Sequence, residues 1–111
     1  MEARTKIIFV DENGDKFFGE GPYQLLLGVE RTGSLRCAAM EMGMAYSKAM
    51  KLVRHAEAAL GFPLTQRTVG GASGGGSCLT PRGKEWMSRY GDYRDACAQA
   101  NARLYLEFFP G

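Results

Sequence analysis

The sequence predicts an α+β fold on three observations. Two short apolar-faced segments are separated by a glycine, a glycine-rich tract with strand-like flanks follows them, and the last third has helical spacing throughout. Placed in that order behind an N-terminal β-hairpin, these pieces make a winged helix-turn-helix with a long C-terminal helix. At 111 residues the chain can bury one core and is too short for two ordinary domains, so a single domain over 1–111 is expected.

N-terminal strands are expected over residues 1–20. Lys6 to Val10 is β-branched and aromatic, Asn13-Gly14 is a turn signal, and Lys16 to Phe18 resumes an apolar stretch. Gly21-Pro22 then opens a helix, with proline where its missing N–H is harmless, and Gly33 is placed to close it. Leu25, Leu26 and Val29 line its inner face. The helix-turn-helix is expected over 34–61. Ser34 is a good N-cap, Leu35, Ala38, Ala39 and Met42 follow on one face, and Gly43 interrupts. After Met44 the spacing restarts with Ala49, Leu52, Val53 and Ala56, until Gly61 and Pro63 end it. The small residues Ala38, Ala39 and Ala49 allow the close helix approach that such a motif needs.

A wing is expected over 65–80. Thr65 to Val69 and Ser77 to Thr80 are strand-like, and the tract between them, Gly70 to Gly76, is too glycine-rich to order itself. Thr80-Pro81 is an N-cap followed by proline at the first helical position, opening a helix over 81–107. Along it Trp86, Tyr90, Tyr93, Cys97, Ala100 and Leu104 recur at alternating spacings of four and three, which is a coiled-coil seam. A chain this small has no second long helix to fill that seam, so a second copy is expected to supply it and the six residues are expected to form a homodimer interface. The competing reading is that the stripe covers the domain's own core. Gly91 inside the helix costs roughly 1 kcal/mol relative to alanine.

Fourteen basic against twelve acidic side chains is close to neutral, but the charge is unevenly distributed. Residues 1–30 carry three basic and six acidic groups, residues 31–67 six and two, and residues 68–111 five and four. The positive charge therefore lies on the helix-turn-helix. Cys37, Cys78 and Cys97 fit neither a disulfide framework nor the paired spacing of a zinc site, so reduced thiols and a cytoplasmic location are expected. No run of about 18 apolar residues is present and the first residues do not read as a leader, so neither membrane insertion nor secretion is expected.

The stretches Arg31-Thr32-Gly33-Ser34-Leu35, Gly43-Met44-Ala45-Tyr46-Ser47-Lys48-Ala49, Arg67-Thr68-Val69-Gly70-Gly71 and Leu79-Thr80-Pro81-Arg82-Gly83 occur in this order. Together they resemble the N-terminal domain of the ModE-type molybdate-responsive regulators and, more distantly, the LysR-type regulators, from about residue 6 to 107. The resemblance implies a second motif helix that enters the major groove, and dimerisation through the N-terminal strand region and the long C-terminal helix. ModE-type regulators usually carry C-terminal oxyanion-binding domains. This chain ends at Phe108-Phe109-Pro110-Gly111, so no molybdate site is carried over and no cofactor is expected.

If Ala49, Leu52, Val53 and Ala56 face the core, helical geometry turns Ser47, Met50, Lys51 and Arg54 outward, with Tyr46 and Lys48 on the flanks. Ser47 suits a base edge or a phosphate, Tyr46 a phosphate or a thymine methyl, and the three cations supply affinity. Ser34 and Arg36 begin the first motif helix, where a phosphate is favoured, although capping alone explains Ser34. Arg67 before the wing and Arg82 after it are expected near the DNA backbone or a minor groove.

Catalysis is not expected. The glycine tract lacks the Lys-Ser/Thr of a P-loop and is bounded by strands. His55 has no partner at metal-ligand spacing, and Asp11, Glu12 and Asp15 read as solvated turn acids. The expected function is a sequence-specific transcriptional regulator that binds double-stranded DNA as a homodimer on a two-fold symmetric site. A link to molybdenum or tungsten metabolism follows only by analogy. The alternative is a protein-interaction module on the same scaffold, which uses Met40, Met44 and Met50 or the helix seam.

Overall fold

The computed structural model describes residues 1–68 and 76–111. The expected tip of the wing, with Val69 and the glycines up to Gly75, lies outside the described residues. Elements follow in the order β1 (Phe9–Val10), β2 (Lys16–Phe18), α1 (Glu20–Thr32), α2 (Leu35–Glu41), α3 (Tyr46–Leu60), β3 (Thr65–Thr68), β4 (Gly76–Leu79) and α4 (Pro81–Phe108). This is the winged helix-turn-helix with a long final helix, with four helices and two separate antiparallel hairpins among the described residues.

The first hairpin is shorter than expected. Only Phe9 and Val10 of the Lys6–Val10 stretch pair with β2, and the register shifts between them. The preceding residues run instead along α4, whose side chains hold the main chain of this N-terminal arm. The Tyr90 hydroxyl donates to the Ile7 carbonyl at 3.0 Å, Asn101 Nδ2 to the Ala3 carbonyl at 3.1 Å, and the Tyr105 hydroxyl to the Met1 carbonyl at 3.0 Å. The arm thus bonds to a helix rather than to a neighbouring strand. At the turn, Asp11 Oδ1 accepts the N–H groups of Asn13 and Asp15, both at 2.9 Å, while Gly14 takes φ +83°.

The three motif helices begin and end on local chemistry. Gly33 and Gly61 adopt left-handed conformations at the C-termini of α1 and α3, as their positions in the sequence require. Ser34 Oγ accepts the Cys37 N–H at 3.0 Å, which caps α2. Replacing Ser34 by alanine removes that acceptor and is expected to cost about 1 kcal/mol. Thermal denaturation should show it as a drop of about 4 °C. Leu25, Leu26 and Val29 of α1, Leu35, Ala38 and Ala39 of α2, and Ala49, Val53 and Ala56 of α3 are all buried in one core. Met42, expected on that face, is 40% exposed because α2 ends at Glu41 and the chain turns away. Close approach of α1 and α2 depends on Gly28, where a Cβ would stand 2.9 Å from that of Ala38.

Thr80 joins the wing to α4. Its Oγ1 accepts the Gly83 N–H at 2.9 Å and donates to the Pro63 carbonyl at 2.6 Å, and its own N–H donates to the Leu64 carbonyl at 2.9 Å. The first turn of α4 therefore lies directly on the chain that enters β3.

The expected dimer stripe on α4 divides into two parts. Tyr90 is 2% exposed and stacks edge-on against Phe18 with ring centroids 4.9 Å apart, while the half-buried Trp86 meets Phe18 at 5.3 Å and Phe9 at 5.4 Å. Both pack against the chain's own core, Tyr90 fully and Trp86 in part, as the competing reading of the stripe has it. The spacing of four and three is the same for a helix packed on its own domain as for one packed on a partner, so sequence alone could not separate them. Burial, and then the nearby Glu20 carboxylate, push the Tyr90 phenol above its ordinary pKa, so it remains the donor to Ile7. Beyond Gly91 no residue of α4 is buried; Tyr93 is 52% and Leu104 46% exposed, with Cys97 and Ala100 intermediate.

Candidate nucleic-acid interface

Helix α3 presents the candidate surface. Its inner face is fixed by Ala49, Val53 and Ala56, all buried, with Leu52 partly buried beside them. That choice of inner face leaves Ser47, Lys48, Lys51 and Arg54 exposed along the outer one. Among the described residues none of Lys48, Lys51 and Arg54 pairs with a carboxylate. The cations thus face water, where a polyanion reaches them without displacing an internal partner. Met50, expected on the outer face, is half-buried and packs against the core.

At the start of α3, Tyr46 is 37% exposed and its ring carries the guanidinium of Arg36, whose central carbon lies 4.2 Å from the ring centroid. Arg36 belongs to α2, so this contact bridges the turn of the motif. The nearby cation Arg31 is differently engaged, in a salt bridge with Glu41 between α1 and α2. Ser34 is occupied as a cap, and α2 spans only seven residues.

The wing is docked beside these groups. Ser77 of β4 donates its N–H to the Gly33 carbonyl at 2.8 Å, and its neighbour across the sheet is Arg67. A Cβ at Gly76 would stand 2.6 Å from the same carbonyl, which is why a glycine opens β4. Arg67, exposed on β3, is therefore brought to the turn between α1 and α2 that leads into Ser34 and Arg36. Arg82 is not brought there. Its guanidinium lies 4.1 Å from the ring centroid of Phe62, just past the C-terminal cap of α3. Since 15 helical residues extend about 22 Å, Arg82 marks the opposite end of α3 from Tyr46.

Sequence reasoning missed two features of this surface. The Arg36–Tyr46 stack joins residues ten positions apart on different helices, and no local pattern announces it. The docking of β4 on Gly33 left a weak signal, a glycine at each of the two contacting positions.

Residues 23–84 match the family described as bacterial regulatory helix-turn-helix protein, lysR family. The chain belongs to this family. The match runs from Tyr23 in α1 through both motif helices and the wing to Lys84 in the first turn of α4, more than half of the chain. It therefore includes every candidate cation described above, and it makes this a DNA-binding regulatory domain of LysR type. The N-terminal hairpin and most of α4 lie outside the matched span. The chain is also 39% identical over 67 residues to the molybdenum-pterin-binding protein MopB of Rhodobacter capsulatus, a stretch covering 60% of this chain and 25% of that protein. The chain thus spans about a quarter of the length of that relative. No helix among the described residues is long and apolar enough to cross a membrane.

Proposed function

We propose that this protein is a transcriptional regulator that binds a two-fold symmetric DNA site as a homodimer, with α3 of each copy in the major groove. The observation that carries this reading is the row of unpaired cations on the outer face of α3, beside a wing anchored to the same motif. Lys48, Lys51 and Arg54 would neutralise phosphates, Ser47 in the first turn of α3 would reach a base edge, and Arg36 and Arg67 would hold the flanking backbone. Arg82 is the weakest member of the expected set, because its guanidinium is already stacked on Phe62.

For the dimer, the support is the apolar surface that α4 leaves open beyond its own core. Tyr93, Cys97, Ala100 and Leu104 continue the stripe, and Leu106, Phe108 and Phe109 are 70%, 72% and 61% exposed. A helix of 28 residues extends about 42 Å, long enough for its distal half to pair with a second copy. Tyr93→Asp places a charge on that stripe at a residue 52% exposed, and gives up one ring contact, the stack on Phe9 with centroids 6.1 Å apart. It is expected to sediment as a monomer at concentrations where the wild type is a dimer, and a variant that stays dimeric would show that the seam lies elsewhere.

Titrating binding to duplex DNA against salt tests the nucleic-acid part. Each phosphate neutralised contributes about −0.9 to the slope of log K against log salt. A steep slope is expected and a flat one would contradict the assignment. The name of the MopB relative supports a regulatory role connected with molybdenum, by analogy alone. For the alternative, a protein-interaction module using Met40, Met44 and Met50 or the helix seam, Met40 is 72% exposed while Met44 and Met50 are partly buried against the core.

A further inference from the structure

We infer that Tyr46 is a positioning residue, whose ring holds the Arg36 guanidinium in place for a DNA phosphate rather than meeting the DNA mainly through its own hydroxyl. This rests on the nucleic-acid reading of the α3 surface. The two side chains come from different helices, Arg36 from the first turn of α2 and Tyr46 from the first turn of α3, and they meet face to centre at 4.2 Å. Among the described residues Arg36 has no carboxylate partner and makes no side-chain hydrogen bond, and its guanidinium rests on the Tyr46 ring.

The physical consequence is preorganisation. A free arginine side chain occupies many rotamers, and ordering it on a phosphate opposes binding. A guanidinium that already rests over an aromatic face has fewer arrangements to give up, while its N–H groups remain available. The stack also spans the turn between α2 and α3, so it fixes the cation relative to the helix that would enter the groove. A lysine in place of Arg36 keeps the charge but not the planar surface that lies on the ring.

Two measurements test this, one without DNA. In the free protein the δ-methylene protons of Arg36 should show an upfield ring-current shift by NMR that persists in Tyr46→Phe and vanishes in Tyr46→Leu. In DNA binding, Tyr46→Phe, which keeps the ring and loses only the hydroxyl, should lose far less affinity than Tyr46→Leu. Arg36→Ala should weaken binding about tenfold and flatten the slope by about 2, one phosphate on each protomer, whereas Tyr46→Leu, which keeps the cation but frees its side chain, should weaken binding with little change of slope. The double variant should be no weaker than Arg36→Ala alone, since the ring acts only through that cation. A missing ring-current shift, additive losses, or a Tyr46→Phe variant as weak as Tyr46→Leu would overturn the inference. Absence of wild-type DNA binding at every salt concentration would instead overturn the reading of the surface, while the NMR shift still decides whether the stack exists.

Discussion

Charge reversal at Lys51 and Arg54 together is expected to weaken DNA binding by more than about 100-fold and to leave folding and dimerisation intact. The two side chains lie on the exposed face of α3, near the buried Val53 yet outside the core, and neither has a carboxylate partner among the described residues. Their replacement therefore removes no internal contact. On the DNA side it deletes two phosphate contacts per protomer and adds two repulsive charges. In a dimer the salt slope should flatten by roughly 3 to 4, before repulsion is counted. Arg82→Glu is the control, to be compared with Lys51→Glu alone so that each reverses a single cation. Because the Arg82 guanidinium lies on Phe62 at the far end of α3, it is expected to change binding much less. Equal losses for the two proteins would place the DNA across the wrong end of the helix.

Gly83→Ala is expected to destabilise the fold by on the order of 3 kcal/mol, the second large effect. A Cβ at this position would stand 2.3 Å from the Leu64 carbonyl oxygen and 3.1 Å from its carbon. Those are main-chain atoms that also receive the Thr80 N–H, so neither side of the contact moves without breaking the junction of wing and α4. Denaturation should show a fall of about 12 °C in Tm. Gly91→Ala separates this steric term from glycine's poor helix propensity. There the Cβ would meet the Tyr23 hydroxyl at 2.7 Å, the far end of a side chain, and alanine gains about 1 kcal/mol in a helix interior. That variant should lie within about 1 kcal/mol of the wild type. Equal destabilisation by the two alanines would remove the steric explanation.

The features legible in the sequence are those set by neighbours along the chain. Gly33, Gly61, Ser34 and Thr80-Pro81 mark helix ends through capping chemistry that acts within four residues, and the structure has helix ends at each. The inner faces of α1 and α3 followed from period alone. What sequence reading did not resolve depends on contacts between distant segments. The strand expected from Lys6 is shortened because Asn101, Tyr105 and Tyr90 hold the arm against α4, nearly a full chain length away. Trp86 and Tyr90 share their spacing with Tyr93 and Leu104, and only the position of Phe18 shows which of them turn inward.

The candidate site divides along the same line. The exposure of Ser47, Lys48, Lys51 and Arg54 follows from the periodicity of one helix, and the structure agrees. The stack of Arg36 on Tyr46, the partial burial of Met50 and the retreat of Arg82 onto Phe62 each need a second element to be placed first. Similarly, Arg94 ties α4 to α1 through the Glu20 carboxylate at 3.1 Å and the face of Tyr23 at 4.7 Å, a link between residues too far apart in sequence for any motif to record.

The central claim is that α3 reads DNA in a symmetric pair, and selection of bound sites from random duplex DNA at two salt concentrations tests it most directly. The expected result is a two-fold symmetric motif, with half-sites about one helical turn apart, that survives moderate salt. Recovery of no motif at either salt would contradict sequence-specific recognition and leave the cations of α3 without the role assigned to them.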